Sequence, residues 1–185
     1  MDHFHEEVVV KRNVSLQNFL YAFASVAMII IGLYSLFNLQ ILIVIITKSG
    51  FSTKLVIDVI LLLMGIAGVV LLFLNRDKLK TEYEYTFTNG IIDFAQVFNN
   101  KKRKNLGSLN VRNTEEFGLV SSDDFRKFLS NRDIKHNNWF LNRENKLYYF
   151  YVNREGGKRL IVMEPSDELV ALIKKYMPFG KFKVN

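Results

Sequence analysis

The sequence predicts an α+β protein in which a two-helix transmembrane hairpin precedes a small antiparallel sheet or partial barrel, closed by a C-terminal amphipathic helix. Three observations predict it. No charged residue stands between Arg12 and Lys48, and only Asp58 interrupts the interval from Lys54 to Arg76. A strand of strict alternation begins almost at once after that second stretch. Near the C-terminus, apolar residues recur at helical spacing between an acidic start and a basic end.

The apolar stretches come first. Phe19 to Phe37 contains 19 uncharged residues, which as a helix would reach about 29 Å, the depth of a bilayer core. A secretory signal would have a basic start, a shorter apolar core and a small-residue cleavage site. This segment is too deep and too long for that, and it runs on through Asn38-Leu39-Gln40 into Ile41 to Thr47. Either one long, tilted helix absorbs the polar triplet or the triplet lies at the interface; the long helix is favoured. Lys48 to Lys54 makes a short turn, and Leu55 to Leu74 forms the second span. Gly65-x-x-Gly68 offers small residues for helix contact without the GxxxG spacing.

Orientation follows from the basic residues. From Arg76 onward there are 21 Lys and Arg against 14 Asp and Glu, a net charge of +7 that equals that of the whole chain. Both termini are therefore expected in the cytoplasm of a multi-pass protein of the cell membrane. The expected divisions are an N-terminal segment over 1–16, the hairpin over 17–75 (spans about 17–47 and 55–75), a domain over 79–180 and a tail over 181–185. Asp58 is the one ionisable residue inside a span, so it is a candidate intramembrane polar site. The alternative is a carboxylate near the interface, satisfied by Lys54 four residues earlier.

The domain begins with YEYTFTNGIIDF. Tyr83, Tyr85 and Phe87 alternate with polar residues, the period of a strand with one wet face. Asn89-Gly90 suits a two-residue type I′ turn, because both positions tolerate positive φ. That loop sets Thr88 opposite Ile91, Phe87 opposite Ile92 and Tyr85 opposite Phe94. Tyr83, Tyr85, Phe87, Ile92 and Phe94 then share the apolar face, with Glu84, Thr86 and Asp93 on the other. An isolated hairpin is marginal in water, so more sheet must follow.

After a polar basic turn over Asn99 to Lys104, Leu106, Leu109 and Val111 suggest a third strand and Phe117 to Val120 a fourth. Ser121 to Leu129 reads as a short helix capped by Ser122, with Asp123 and Asp124 in its first turn. Lys146 to Asn153 is a strand with bulky residues on both faces. Arg154 to Gly157 turns it back into Lys158 to Met163. The closing helix starts at Pro165 or a Ser166 cap, carries Leu169, Leu172, Ile173 and Tyr176, and stops at Pro178 and Gly180.

This layout resembles membrane-anchored proteins with a bacterial pleckstrin-homology-like domain. Within that group, YEYTFTNGIIDF, the NKKRKNL segment and YVNREGGKRLIVMEPSDELVALIKKYMP resemble an uncharacterised family of small Gram-positive membrane proteins. The similarity covers roughly residues 75 to 180 and the two-span layout. It implies a fold and a membrane address, and brings no catalytic motif.

The residues themselves point away from several chemistries. With no cysteine, disulfides and thiol catalysis are excluded. No P-loop, GxGxxG, HExxH or GxSxG occurs, so a non-enzymatic protein without a cofactor is expected. Among the three histidines, His3-x-His5 lacks further ligands for a metal site, and His136 reads as a surface-loop residue. No nucleic-acid reader motif accompanies the basic charge, and no nucleic-acid partner is expected.

The best binding candidate is Lys101, Lys102, Arg103 and Lys104. Near a membrane, such cations attract anionic headgroups by about 1 kcal/mol each, and basic residues around the first hairpins bind phosphoinositides in eukaryotic pleckstrin-homology domains. The alternative is a solvated loop reflecting only the positive-inside bias. The expected role is a binding or scaffold domain presented at the membrane surface, contacting anionic lipid or a protein partner. The alternative is an accessory subunit of a larger membrane complex that uses the helical hairpin as its interface.

Overall fold

A computed structural model describes residues 2–49, 52–154 and 156–183. Gly50 and Phe51 of the first expected turn, Glu155 of the later one, and Val184 and Asn185 of the expected tail lie outside the described residues. The chain forms two compact units. One comprises residues 13–80, and the other combines 1–12 with 81–185.

The helical unit contains α1 (Val14–Ser49) and α2 (Thr53–Asn75), followed by a 3-10 turn at Arg76–Leu79. Asn38 does not break α1: its side-chain amide donates to the Tyr34 carbonyl at 2.9 Å, so the polar triplet is absorbed within the helix. At 36 and 23 residues, the helices extend about 54 and 35 Å, longer than the roughly 30 Å of a bilayer core. Ser52 caps α2, its hydroxyl accepting from the Leu55 N–H at 3.3 Å.

The helices meet through Leu42, Leu55 and Leu62, with Ile45 and Val59 alongside. A Cβ at Gly65 would lie 2.7 Å from Ser35 Oγ, whereas Gly68 faces open space. Three residues along a helix turn the side chain about 60° off the line of contact, so only one glycine serves the close approach. At the end of the unit, Arg76 lies 5.7 Å from the Tyr21 ring centroid and Lys80 4.6 Å from it. An aromatic body with cations on its face is the residue chemistry of a membrane–water interface.

The second unit contains two sheets. In the first, β1 (Phe4–Val9), β2 (Thr81–Thr88), β3 (Ile91–Phe98) and β4 (Lys102–Asn110) run antiparallel in that order. Asn89 and Gly90 have φ of 50° and 94°, and the register pairs Thr88 with Ile91, Phe87 with Ile92 and Tyr85 with Phe94. The apolar face is the expected one: Tyr83, Tyr85, Phe87, Ile92 and Phe94 are all buried.

The second sheet has the order β6-β8-β7-β5-β9, from β5 (Glu116–Leu119), β6 (Ile134–Trp139), β7 (Tyr148–Arg154), β8 (Gly157–Met163) and β9 (Phe182–Lys183). It is not wholly antiparallel, because β6 runs parallel to β8 and β9 parallel to β5. The two sheets do not close into a barrel.

Each face of β7 is covered, as its bulky residues on both sides require. Tyr148, Phe150 and Val152 join the main core with the inner face of the first sheet and with Leu169 and Ile173 of α4 (Asp167–Tyr176). Tyr149 faces the other way, into a smaller core with Phe125 of α3 (Asp123–Leu129), Ile134, Leu160 and Val162. Ser122 and Ser166 cap the two helices, accepting from the N–H groups of Phe125 and Leu169 at 3.4 and 3.2 Å.

The principal departure from expectation is at the N-terminus. Residues 1–16 do not form a separate segment, because β1 pairs with β2 from Phe4–Thr88 to Val9–Tyr83. The N–H of Asn89 also donates to the His3 carbonyl at 3.0 Å. The helical hairpin is therefore an insertion between two neighbouring strands of one sheet. Phe182 and Lys183 of the expected tail likewise belong to the domain, as β9.

Candidate functional site

The basic cluster does not form one turn. Asn99 and Asn100, with φ of 51° and 52°, accept the left-handed conformations that asparagine tolerates. The Lys101 N–H then donates to the Phe98 carbonyl at 3.0 Å. The turn is complete there, and Lys102, Arg103 and Lys104 already belong to β4. Alternation along a strand puts Lys102 and Lys104 on one face and Arg103 on the other.

All four side chains are exposed, but they are not equivalent. Arg103 Nη2 lies 2.8 Å from Glu84 Oε2 across the sheet, so part of its charge is already answered. Among the described residues, Lys101, Lys102 and Lys104 have no carboxylate partner.

The position of this cluster in the domain follows from the strand register. Phe98 pairs with Lys102 on one side and with Thr81 on the other. Lys102 thus lies two strand spacings, about 10 Å, from Thr81, the first residue after the helical unit. The other connection leaves from the same end, since β1 runs out of the sheet past Val9 to Arg12. Both points where the domain continues into the helices therefore share one end of the sheet with the exposed lysines.

That end is held by groups that sequence reasoning passed over. Asn142 brackets the departing chain: its side-chain oxygen accepts from the Arg12 N–H at 2.7 Å, and its amide donates to the Val10 carbonyl at 2.9 Å. Glu164, nearly fully buried, fixes this asparagine in turn. It accepts from the backbone N–H groups of Leu141 and Asn142 at 3.2 and 2.9 Å, and from the side-chain amides of Asn142 and Asn145. Four donors to one buried carboxylate satisfy its charge without a cation.

Tyr85 adjoins this network. Its hydroxyl donates to the Trp139 carbonyl and accepts from the Glu164 N–H. Burial, the main cause, raises the Tyr85 phenol well above the ordinary value of 10.0. Burial together with the hydrogen bond to Glu116 raises Tyr149 likewise.

Each of the remaining candidates has its own surroundings. Asp58 is half-buried on α2 and, among the described residues, has no ion-pair partner. The expected bridge to Lys54 is not made. Lys54 is exposed in the first turn, where an i,i+4 pair gains only a few tenths of a kcal/mol against side-chain entropy. The histidines at positions 3 and 5 serve the packing of β1. His3 contacts the Tyr176 hydroxyl at 2.9 Å and the Lys175 ammonium at 2.8 Å, while His5 lies 3.2 Å from Glu7 and 3.8 Å from Glu168. His136 is exposed but on strand β6, paired with Leu160, and not in a loop.

The arrangement supplies a rigid end of a sheet with three unpaired ammonium groups, a surface that can meet anions by charge. No curated protein and no solved structure matches the chain. The family described as Bacterial PH-like domain (DUF6106) matches residues 1–183, a span that takes in β1, the helical insertion and both sheets. The chain belongs to that bacterial PH-like domain family.

Proposed function

We propose that the protein is a non-enzymatic membrane-tethered scaffold that presents its PH-like domain at the cytoplasmic face and steadies it there by contact with anionic lipid. The helices cross the bilayer, and Lys101, Lys102 and Lys104 meet the headgroups beside the points where the chain enters it. The observation that carries this reading is the shared end of the sheet: Lys102 sits about 10 Å from Thr81, with Lys101 and Lys104 beside it in the chain. A domain hung from that end brings those charges to the headgroup layer, where each contributes about 1 kcal/mol.

The test needs a chain that keeps β1. Replacing residues 13–80 by a short Gly/Ser linker joins Arg12 to Thr81, whose strands are already neighbours. This chain should bind phosphatidylglycerol-containing vesicles, ignore pure phosphatidylcholine, and release as salt rises. Lys101→Gln, Lys102→Gln and Lys104→Gln together should remove up to about 3 kcal/mol, at about 1 kcal/mol per cation. A folded chain that ignores anionic vesicles at low salt would end the lipid reading.

Topology is tested separately in intact cells. A cysteine at Ser49 should react with an impermeant maleimide and one at Asn100 should not; labelling at Asn100 alone would reverse the orientation.

A further inference from the structure

We infer that the end of the domain that carries the Asn89-Gly90 turn is a docking surface for an acidic segment of a partner protein, centred on Phe179. The inference rests on the scaffold reading and gives it a second contact.

The two ends of the first sheet are well separated: β2 runs from Thr81 to Thr88, about 24 Å at strand rise. The far end is marked by the Asn89-Gly90 turn, and the last turn of α4 lies against it. A Cβ at Gly90 would meet the Tyr176 ring at 2.8 Å, and the Val111 N–H donates to the Gly90 carbonyl at 2.9 Å. Phe179 follows Tyr176 by three residues, so its Cα is within about 11 Å of the Tyr176 Cα.

Phe179 is fully exposed, and its backbone is held in that position. Pro178 fixes one φ, Gly180 takes a φ of 84°, and the Lys181 N–H donates to the Pro178 carbonyl at 3.4 Å. This is a type II pattern with glycine at its third position, and it puts the aromatic ring at the tip. Leaving a large apolar side chain wholly in water forgoes the stabilisation that burial would bring. An aromatic anchor on a short, defined turn is the kind of residue that dominates protein interfaces.

The charge around it selects the partner. Lys174 stands 4.0 Å from the Phe182 ring centroid, and Arg112 stands 5.4 Å from that of Tyr176. Lys175 contacts His3. Among the described residues, none of these three cations has a carboxylate partner; Lys181, by contrast, is 3.8 Å from Glu115. An exposed aromatic ring that follows Lys174 and Lys175 by five and four residues complements an acidic segment that carries an apolar side chain. The bilayer is the weaker match, because this end is the one farthest from the chain's connections to the helices.

The experiment uses the full chain in its native cells, with the photo-crosslinker benzoylphenylalanine at position 179 and, as control, at the exposed Leu129. Position 179 should yield a protein adduct that maps to an acidic stretch of the partner, absent from position 129. Lys174→Glu with Lys175→Glu should lower that yield about tenfold, the effect of like charge on an electrostatic contact. Lys101→Gln with Lys102→Gln and Lys104→Gln should leave it unchanged, which separates this surface from the lipid-facing end. Unchanged melting of the full chain carrying Phe179→Ser would show that the ring serves no core. Adducts to lipid alone, to a second copy alone, to a non-acidic segment, or none at all would overturn the inference. So would a yield indifferent to the charge reversal.

Discussion

The helical unit and the β domain dispose of apolar surface in opposite ways. In the domain, the large side chains turn inward: Tyr85, Phe87, Phe94, Phe117 and Phe150 are almost wholly inaccessible, with Tyr85 meeting Phe94 edge to face in the first sheet and Phe117 stacking on Phe150 in the second. In the helices they turn outward. Only 11% and 6% of the most apolar stretches of α1 and α2 are buried, and residues such as Phe23, Ile30, Leu33, Leu61 and Met64 are exposed. A core helix of a water-soluble protein would show the reverse. The contrast teaches that hydrophobic burial stabilises the domain, whereas the helices keep an apolar outer surface suited to lipid.

The comparison is tested most severely at the join between the two units. Removing residues 2–10 takes away β1 with its buried Val9, uncovers the edge of β2 and exposes the core around Tyr83. The loss should exceed that of any single core substitution and approach the whole stability of a small domain, about 5–15 kcal/mol. The measurement is urea unfolding of the linker-joined chain with and without β1. A truncated chain that unfolds at the same midpoint would show β1 to be an ornament.

Next in size, Phe87→Ala should destabilise that linker-joined chain by about 3–5 kcal/mol. Glu84→Ala, on the wet face of the same strand and removing only the bridge to Arg103, should stay within about 0.5 kcal/mol. Equal effects at the two positions would erase the distinction between the faces.

The smallest effect at neutral pH is that of the buried phenols, which are neutral there. Because burial raises Tyr85 and Tyr149 above 10.0, the folded state holds these protons more tightly than the unfolded chain. Their contribution is fully present below pH 10 and is lost as pH rises beyond it. Melting temperature should therefore fall in the alkaline range, and less steeply in a Tyr149→Phe variant that retains the ring. A flat profile from pH 9 to 12 would contradict this assignment.

The parts legible in the sequence are those whose cause is local. The β2–β3 hairpin carries its own register in Asn89-Gly90 and its own faces in Tyr83, Tyr85 and Phe87, and α4 carries its cap and its stripe within a dozen residues. β1 was illegible for the opposite reason. Its FHEEVV has little alternation, and its partner strand begins some 70 residues later, beyond the reach of any periodic pattern. β6 was missed because an edge strand such as IKHNNW is polar. At the candidate site, the lysines were visible as a charge run, but that Asn99 and Asn100 complete the turn early is a matter of backbone conformation. The Asn142–Glu164 bracket was hidden because Glu164 reads as an acid ahead of a helix, and only the folded chain brings four donors to it.

The insertion of the hairpin between paired strands also orders events during synthesis. β1 leaves the ribosome first and has nothing to pair with until the helices and β2 have followed, a delay of several seconds at ordinary elongation rates. A chain whose helices make two crossings returns β2 to the compartment where β1 waits, and the sheet closes. A chain that makes only one crossing strands the two halves of the sheet on opposite sides of the bilayer, leaving the edge of β2 and the aromatic core open. If the helices cross the bilayer as proposed, closing the sheet between β1 and β2 therefore requires both crossings.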